Sequence, residues 1–203
     1  MKGIPYIVSA PSGAGKSTLC NMAVDFFSDL RHSISYTTRP PRQGEINGVE
    51  YHFIDGPAFE RMAKTGEFLE YAGVHGKRYG TSGKDLEMLL AAGKSAMLDI
   101  DVQGAASIKK TLSNAVYIFI LPPSLEVCEQ RLIKRGKDNP EDIKRRVAAA
   151  REEINNASGY DYIIINDDLV AAFEKLKAII IAESSKRERM AEKVNKAFGI
   201  NVK

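Results

Sequence analysis

Apolar residues recur along the chain in two rhythms. Four short runs, Tyr6–Ser9, Ala96–Ile100, Val116–Leu121 and Tyr160–Ile165, are almost unbroken, the pattern of parallel strands covered on both faces rather than of a sheet with one wet side. Between and after them the period lengthens to that of a helix. Leu19, Met22, Ala23, Phe26, Phe27 and Leu30 fall at the spacing of one buried helix face. Leu86, Leu89 and Leu90 predict a shorter helix that Gly93 ends. From Asp168 to about Phe198 one long helix, or two, is expected, with Leu169, Phe173, Leu176 and Ile180 toward the core. Its charged end, Lys186 to Lys193, is expected as a solvated face. Strands alternating with helices predict an α/β domain around a mostly parallel sheet.

Two stretches depart from this alternation. From about Ser33 to Thr81, turn residues are dense (Pro40, Pro41, Gly44, Asn47–Gly48) and Val49, Tyr51 and Phe53 alternate. This predicts a small, partly antiparallel insertion with one solvated face. From about Ser124 to Ile154 the pattern is helical and rich in arginine. Gly136 is expected to stop a first helix, and Asn139–Pro140 to start a second as N-cap and first helical residue.

The length of 203 residues fits one domain with small appended elements. Lys and Arg number 29 against 26 for Asp and Glu, a net charge of +3 with a pI near 8.7. That is too slight for the basic stripe of a nucleic-acid binder, and the aromatics are not interleaved with basic residues as such a surface needs. No apolar run approaches the roughly 18 residues of a membrane span. The stretch Ile4–Ala10 is too short for a signal sequence, so a soluble cytoplasmic protein is expected. Cys20 and Cys128 lie far apart, which suits reduced, partly buried thiols better than a disulfide or a zinc site.

The strongest local chemistry directly follows the first strand: Ala10-Pro11-Ser12-Gly13-Ala14-Gly15-Lys16-Ser17-Thr18 leads at once into a helix. Strand, Gly-rich loop, Lys-Ser and helix in this order form a phosphate-binding loop. Gly13 and Gly15 let backbone N–H groups turn inward around phosphate oxygens. The helix N-terminus adds about half a positive charge, Lys16 can reach the β- and γ-phosphates, and the Ser17 hydroxyl can ligate Mg²⁺. Ala10 stands where the strict pattern has its first glycine, and only a small adjustment of the loop is expected. In Leu98-Asp99-Ile100-Asp101, at the end of the second run, Asp99 is the better candidate for holding Mg²⁺ or its waters, the alternative being a cap for the next helix.

A phosphate loop alone does not separate a GTPase, a motor and a small-molecule kinase. The insertion adds Arg39-Pro40-Pro41-Arg42, whose two arginines could clamp one phosphate or could form a solvated basic turn. Tyr51 and Tyr79 could add hydroxyl donors. His32, His52 and His75 form no triad or metal pair and read as structural or surface residues.

Taken together, "SAPSGAGKST", "SYTTRPPRQGEINGVEYHF", "FLEYAGVHGKRYGTS", "LDIDVQG", "FILPPS" and "IIINDDL" resemble the guanylate kinase family from Tyr6 to about Glu183. The resemblance implies a P-loop parallel-sheet core (about 1–32, 82–123 and 155–203), a mixed α+β insertion that binds GMP (33–81) and a mobile helical lid (124–154). It implies phosphoryl transfer from ATP to GMP with Mg²⁺ and places Arg39, Arg42, Tyr51 and Tyr79 on the GMP phosphate. Ser35, Glu70, Thr81 and Asp101 are implied near the guanine. Arg135 and Arg146 are implied as lid contacts to phosphate, and Asn166 lies in the segment near adenine. Arg131, four residues before Arg135 on one helix face, is a further lid candidate; ordinary surface arginines are the alternative. The base supports the assignment chemically: guanine offers adjacent N1–H and N2 donors, which an ionised, acceptor-only Glu70 suits, whereas adenine N1 would face a carboxylate. ATP and GMP are thus the expected partners, and oligomeric state is left open. Guanylate-kinase-like binding modules that have lost catalysis typically have a degraded phosphate loop, whereas Gly13, Gly15, Lys16 and Ser17 are all present here.

Overall fold

The computed structural model describes residues 2–74, 76–136 and 139–202, so His75 lies outside the described residues. Its centre is a five-stranded sheet of β1 (Pro5–Ser9), β2 (Leu30–His32), β7 (Ser95–Asp99), β8 (Val116–Leu121) and β9 (Tyr162–Ile165). The order is β2-β7-β1-β8-β9, and all four pairings are parallel. Alternate residues of β1 feed opposite cores, which is why the run is apolar throughout. Tyr6 and Val8 pack with Leu19 and Ala23 of α1 (Lys16–Phe26) and with Leu176 and Ile180 of α7 (Leu169–Ser184). Ile7 packs on the other face with Leu86 of α3 (Gly83–Ala91) and with Ala105 and Ile108 of α4 (Val102–Lys109).

The insertion forms a second, four-stranded sheet from β3 (Tyr36–Thr37), β4 (His52–Phe53), β5 (Phe68–Val74) and β6 (Lys77–Ser82). β6 runs antiparallel to both β3 and β5, whereas β4 is parallel to β3. Helix α2 (Gly56–Lys64), capped by the Asp55 carboxylate, lays the buried Phe59 ring 4.7 Å from that of Phe68. The arginine-rich stretch is a helix pair, α5 (Leu125–Arg135) and α6 (Pro140–Ile154), closed around Cys128, Leu132, Ile143 and Ala150. Gly136 ends α5 with φ 63°, and Asn139 caps α6 ahead of Pro140, as their residue types predict.

Several expectations need correction. The first helix stops at Phe26 because Phe27 turns extended, so Leu30 is buried in β2 rather than on that helix face. Phe26 itself is exposed, packed edge-on against Phe173 with Lys177 over its ring. The C-terminal pattern divides into α7 and α8 (Arg187–Phe198), and Leu169, in the first turn of α7, lies too near the helix start to reach the core and is exposed. The charged end is not wholly solvated: Lys186 and Arg189 pair with the buried Glu183 carboxylate at 2.7 and 3.3 Å. Cys20 and Cys128 are free thiols, and both are fully rather than partly buried.

Candidate active site

The site lies at the carboxyl ends of the parallel strands, where the order of the sheet reverses around β1. Ser12, Gly13, Ala14 and Gly15 carry the chain from β1 into α1, and Gly15 caps that helix in the left-handed region with φ 90°. No side chain caps the helix, which leaves the N-terminal N–H groups of Lys16, Ser17 and Thr18 for a ligand. Gly13 also has a left-handed φ of 86°, and a Cβ there would come within 3.0 Å of the Cys128 carbonyl oxygen. At Gly15 a Cβ would lie 2.4 Å from Asn166 Nδ2. Both glycines therefore serve close packing as well as chain direction.

Distant residues hold the loop in shape. The Cys128 thiol donates to the Ser12 carbonyl, and Asn166 Nδ2 donates to the Ala14 carbonyl at 2.7 Å. Arg131 donates in turn to the Asn166 carbonyl at 2.9 Å. Asn166 Oδ1 is buried with no hydrogen-bond partner among the described residues. Ala10, in place of the first glycine, packs against the core.

Charge converges on Lys16. Its ammonium donates to the Ile100 carbonyl at 2.8 Å and lies 2.7 Å from Asp99 Oδ1, while Ser17 Oγ donates to Asp99 Oδ2 at 2.9 Å. Burial alone would lower the Lys16 pKa, but the acidic surroundings, Asp99 foremost and Asp101 behind it, hold the group above the ordinary lysine value. The two readings of the acidic pair now separate. Asp101 caps α4 by accepting from the Gly104 N–H at 2.8 Å, whereas Asp99 faces the lysine and the serine. A carboxylate and a hydroxyl so placed are the hard oxygen donors that Mg²⁺ uses beside substrate phosphates and water.

Across the strand ends, β5 and β6 bring Glu70 and Thr81 together, with Thr81 Oγ1 donating to Glu70 Oε1 at 2.6 Å. Burial, with a smaller contribution from the nearby Asp101 charge, holds the Glu70 carboxyl above its ordinary pKa. Ser35, just before β3, is half-buried and accepts at its carbonyl from His52, but takes no part in that network.

The two insertion arginines both meet Glu45, Arg39 through its side chain and Arg42 through its backbone. Arg39 forms a bidentate pair with Glu45, both distances 2.8 Å, and its guanidinium lies over the Tyr51 ring at 5.4 Å. Tyr51 and Tyr79 meet edge to face at 5.7 Å. Arg42 is exposed and contributes its backbone N–H to Glu45 at 2.6 Å. Those two interactions depress the Glu45 carboxyl to about 2.

An open cleft of about 1200 Å³ joins the loop to the helix pair, with Arg131, Arg135 and Arg146 on its walls. It also holds Glu153, near the end of α6, whose half-buried carboxylate lies close enough to Lys16 and Arg146 to feel their charges. Burial raises its pKa and the Lys16 charge lowers it, with the rise prevailing. Glu45 and Glu153 were not foreseen. The even spacing of Arg39, Arg42 and Glu45, and the two helical turns between Arg146 and Glu153, are the signals that could have found them.

The sequence model described as guanylate kinase matches residues 2–183. The chain belongs to the guanylate kinase family. It is 50% identical over 200 residues to the guanylate kinase of Geobacter sulfurreducens, covering 98% of each chain. To that of Clostridium perfringens strain 13 it is 43% identical over 191 residues, covering 94% of this chain and 88% of the relative. The crystal structure of guanylate kinase from Anaplasma phagocytophilum is similar at a TM-score of 0.76 and 33% identity, covering 98% of this chain and 97% of that one. As a member of this family the protein is an enzyme, a nucleotide-binding kinase with the P-loop core described above. No helix among the described residues is long and apolar enough to cross a membrane.

Proposed function

We propose that the protein transfers the terminal phosphoryl group of ATP to GMP, giving ADP and GDP, in purine nucleotide metabolism. The observation that carries the reading is the placement of two unlike sites at one set of strand ends. One is an anion cradle built on Lys16 and an uncapped helix; the other is the acceptor-rich group of Glu70, Thr81 and Asp101. The core (about 1–32, 82–123 and 155–203) carries the first site, residues 33–81 form the GMP-binding insertion, and 124–154 form the lid.

The attacking GMP phosphate oxygen is already anionic near neutral pH, so no side chain has to remove a proton. Catalysis reduces to aligning two anions that repel each other and neutralising the charge on the group in transfer. The N–H groups of residues 12–18 and Lys16 hold the ATP phosphates, with Arg135 and Arg146 meeting them from the lid. Arg131 acts by fixing Asn166 beside the loop. Arg39, Arg42, Tyr51 and Tyr79 hold the GMP phosphate, which requires Arg39 to share or leave Glu45. Ser35, Glu70, Thr81 and Asp101 read the guanine edge. Ser17 and Asp99 would hold Mg²⁺, which supplies further neutralisation of phosphate charge. Lid and insertion close together when both substrates are bound, which keeps water from the reacting phosphoryl group.

A coupled assay of ADP release with ATP and Mg²⁺, run against GMP, AMP, CMP, UMP and dTMP, tests this. Turnover with GMP well above the other four is expected. Equal turnover with AMP, or none with GMP, would overturn the proposal.

A further inference from the structure

Helix α4 carries a glycine, Gly104, in its first turns, at a buried position with ordinary helical backbone. Nothing in the backbone there asks for glycine, and alanine is the better helix former. The reason for it lies outside the helix. A Cβ on Gly104 would sit 2.9 Å from Glu70 Oε2, closer than Cβ atoms approach in real structures, and 3.2 Å from its Cδ, tighter than most. The next atom, Asp101 Oδ1, would be 3.5 Å away, an ordinary contact that leaves the helix cap intact.

The Glu70 carboxylate is thus located from two sides. Thr81 holds Oε1 by a 2.6 Å hydrogen bond, and Oε2 rests in the space that a side chain at position 104 would fill. A methyl group there would meet the far end of one flexible side chain rather than backbone. What would yield is the carboxylate, together with its bond to Thr81, and not the fold.

Resting on the proposed reading of Glu70 as a guanine acceptor, we infer that Gly104 is a specificity-determining position: its missing side chain seats the Glu70 carboxylate where the donor edge of a purine monophosphate meets it. Gly104 offers no side chain to a ligand, so it acts through Glu70 as a positioning residue. Selection at this place then acts on the location of one oxygen, with helix propensity given up in return.

The test is steady-state kinetics on Gly104→Ala, Glu70→Ala and the double variant, each with a thermal melt. Gly104→Ala is expected to raise the KM for GMP about tenfold or more, the scale of one charged hydrogen bond. Its KM for ATP should stay within about twofold, and its melting temperature should not fall. With Glu70→Ala already in place there is no carboxylate to displace, so adding Gly104→Ala should change the KM for GMP by less than about twofold. If Glu70→Ala raises that KM and Gly104→Ala does not, the inference fails and the guanine reading stands. If Glu70→Ala leaves the KM unchanged, the guanine reading fails and takes the inference with it. An equal effect of Gly104→Ala with and without Glu70 would overturn the inference. So would a variant that unfolds, because the backbone rather than the carboxylate would then have given way.

Discussion

In the loop between β1 and α1, Ser12, Ala14 and Lys16 are held by Cys128, Asn166 and Asp99, residues from distant parts of the chain. In the insertion, Arg39 and Arg42 are held by Glu45, only a few residues further on. The first arrangement cannot change without disturbing the core, since its partners sit on β7, α5 and the segment after β9. The second can be reset by one ligand that outbids one carboxylate. Preorganised donors act most strongly where charge develops and need no rearrangement at the moment of reaction. Donors that must be recruited make binding the signal for closure. On the proposed function, the contrast gives fixed electrostatics to the triphosphate side and adjustable recognition to the monophosphate side.

The largest expected effect tests the fixed side. Lys16→Ala should lower kcat by about 10²–10³-fold or more, since on the proposed mechanism it deletes a donor to the transferring charge. The fold should survive, because the α1 N-terminus and the ties to Cys128 and Asn166 remain. Steady-state kinetics beside a thermal melt decide the matter, and near-normal kcat would remove the cradle from the centre of the mechanism.

Glu70→Gln addresses the adjustable side and should raise the KM for GMP by about tenfold, with little change for ATP. It also has a pH signature. Burial holds the Glu70 carboxyl above its ordinary value of 4.5, so the native state keeps a proton that the unfolded chain releases. This group's contribution to stability accordingly declines as pH rises from about 4.5 through the raised native value, and Glu70→Gln should remove that dependence. Guanine donors favour the ionised form, so as pH falls through the same range GMP affinity should weaken more steeply in the wild type than in the variant, where only the GMP phosphate still titrates. Calorimetric titration with GMP across pH measures both; identical profiles would detach Glu70 from the base.

The same contrast governs what could be read from sequence. Local features were legible: unbroken apolar runs for β1, β7, β8 and β9, caps at Gly136 and Asn139, and the run from Gly13 to Ser17. The three-residue β2 was not, because Leu30 satisfies a helix period and a short strand equally well and only the neighbouring β7 decides between them. The division of labour between Asp99 and Asp101 was likewise open, since it depends on where α4 begins. Residues that act by ending in an unexpected place escaped altogether. Glu45 is a surface loop carboxylate on paper, and Glu153 a helix-face charge, until the fold brings the first onto Arg39 and the second near Lys16.

Glu45→Gln should have a smaller effect. Losing one arm of a partly exposed ion pair and the anchor of the Arg42 N–H should raise the KM for GMP by about two- to fivefold, with kcat nearly unchanged. The Glu45 carboxyl is depressed to about 2, so its contribution is complete above the ordinary carboxylate pKa and is lost only as pH falls from there toward about 2. Between about pH 6 and pH 8 the difference between wild type and variant should therefore be constant. A lower KM in the variant would mean that Glu45 withholds Arg39 from the phosphate rather than orienting it.

The smallest expected effect bears hardest on the contrast, because a carboxylate also lines the cleft beside the cradle. Glu153 lines the cleft beside the loop, near enough to Lys16 for the two charges to interact, and Lys16 is a donor that a nucleotide phosphate would claim. If Glu153 competes there as Glu45 competes for Arg39, Glu153→Gln keeps the side chain's shape, removes its charge, and should tighten ATP binding about two- to fivefold with kcat little altered. Competition then exists on both sides, and what distinguishes them is only how firmly the donors are held while waiting. Weaker ATP binding would instead make Glu153 part of the scaffold that shapes the loop. A fall in kcat at unchanged ATP affinity would tie it to the placement of Arg146 on α6. Equilibrium titration with ATP in the absence of GMP, followed by single-turnover kinetics with GMP added, separates the three outcomes, since competition acts on the first measurement and placement of the lid arginine on the second.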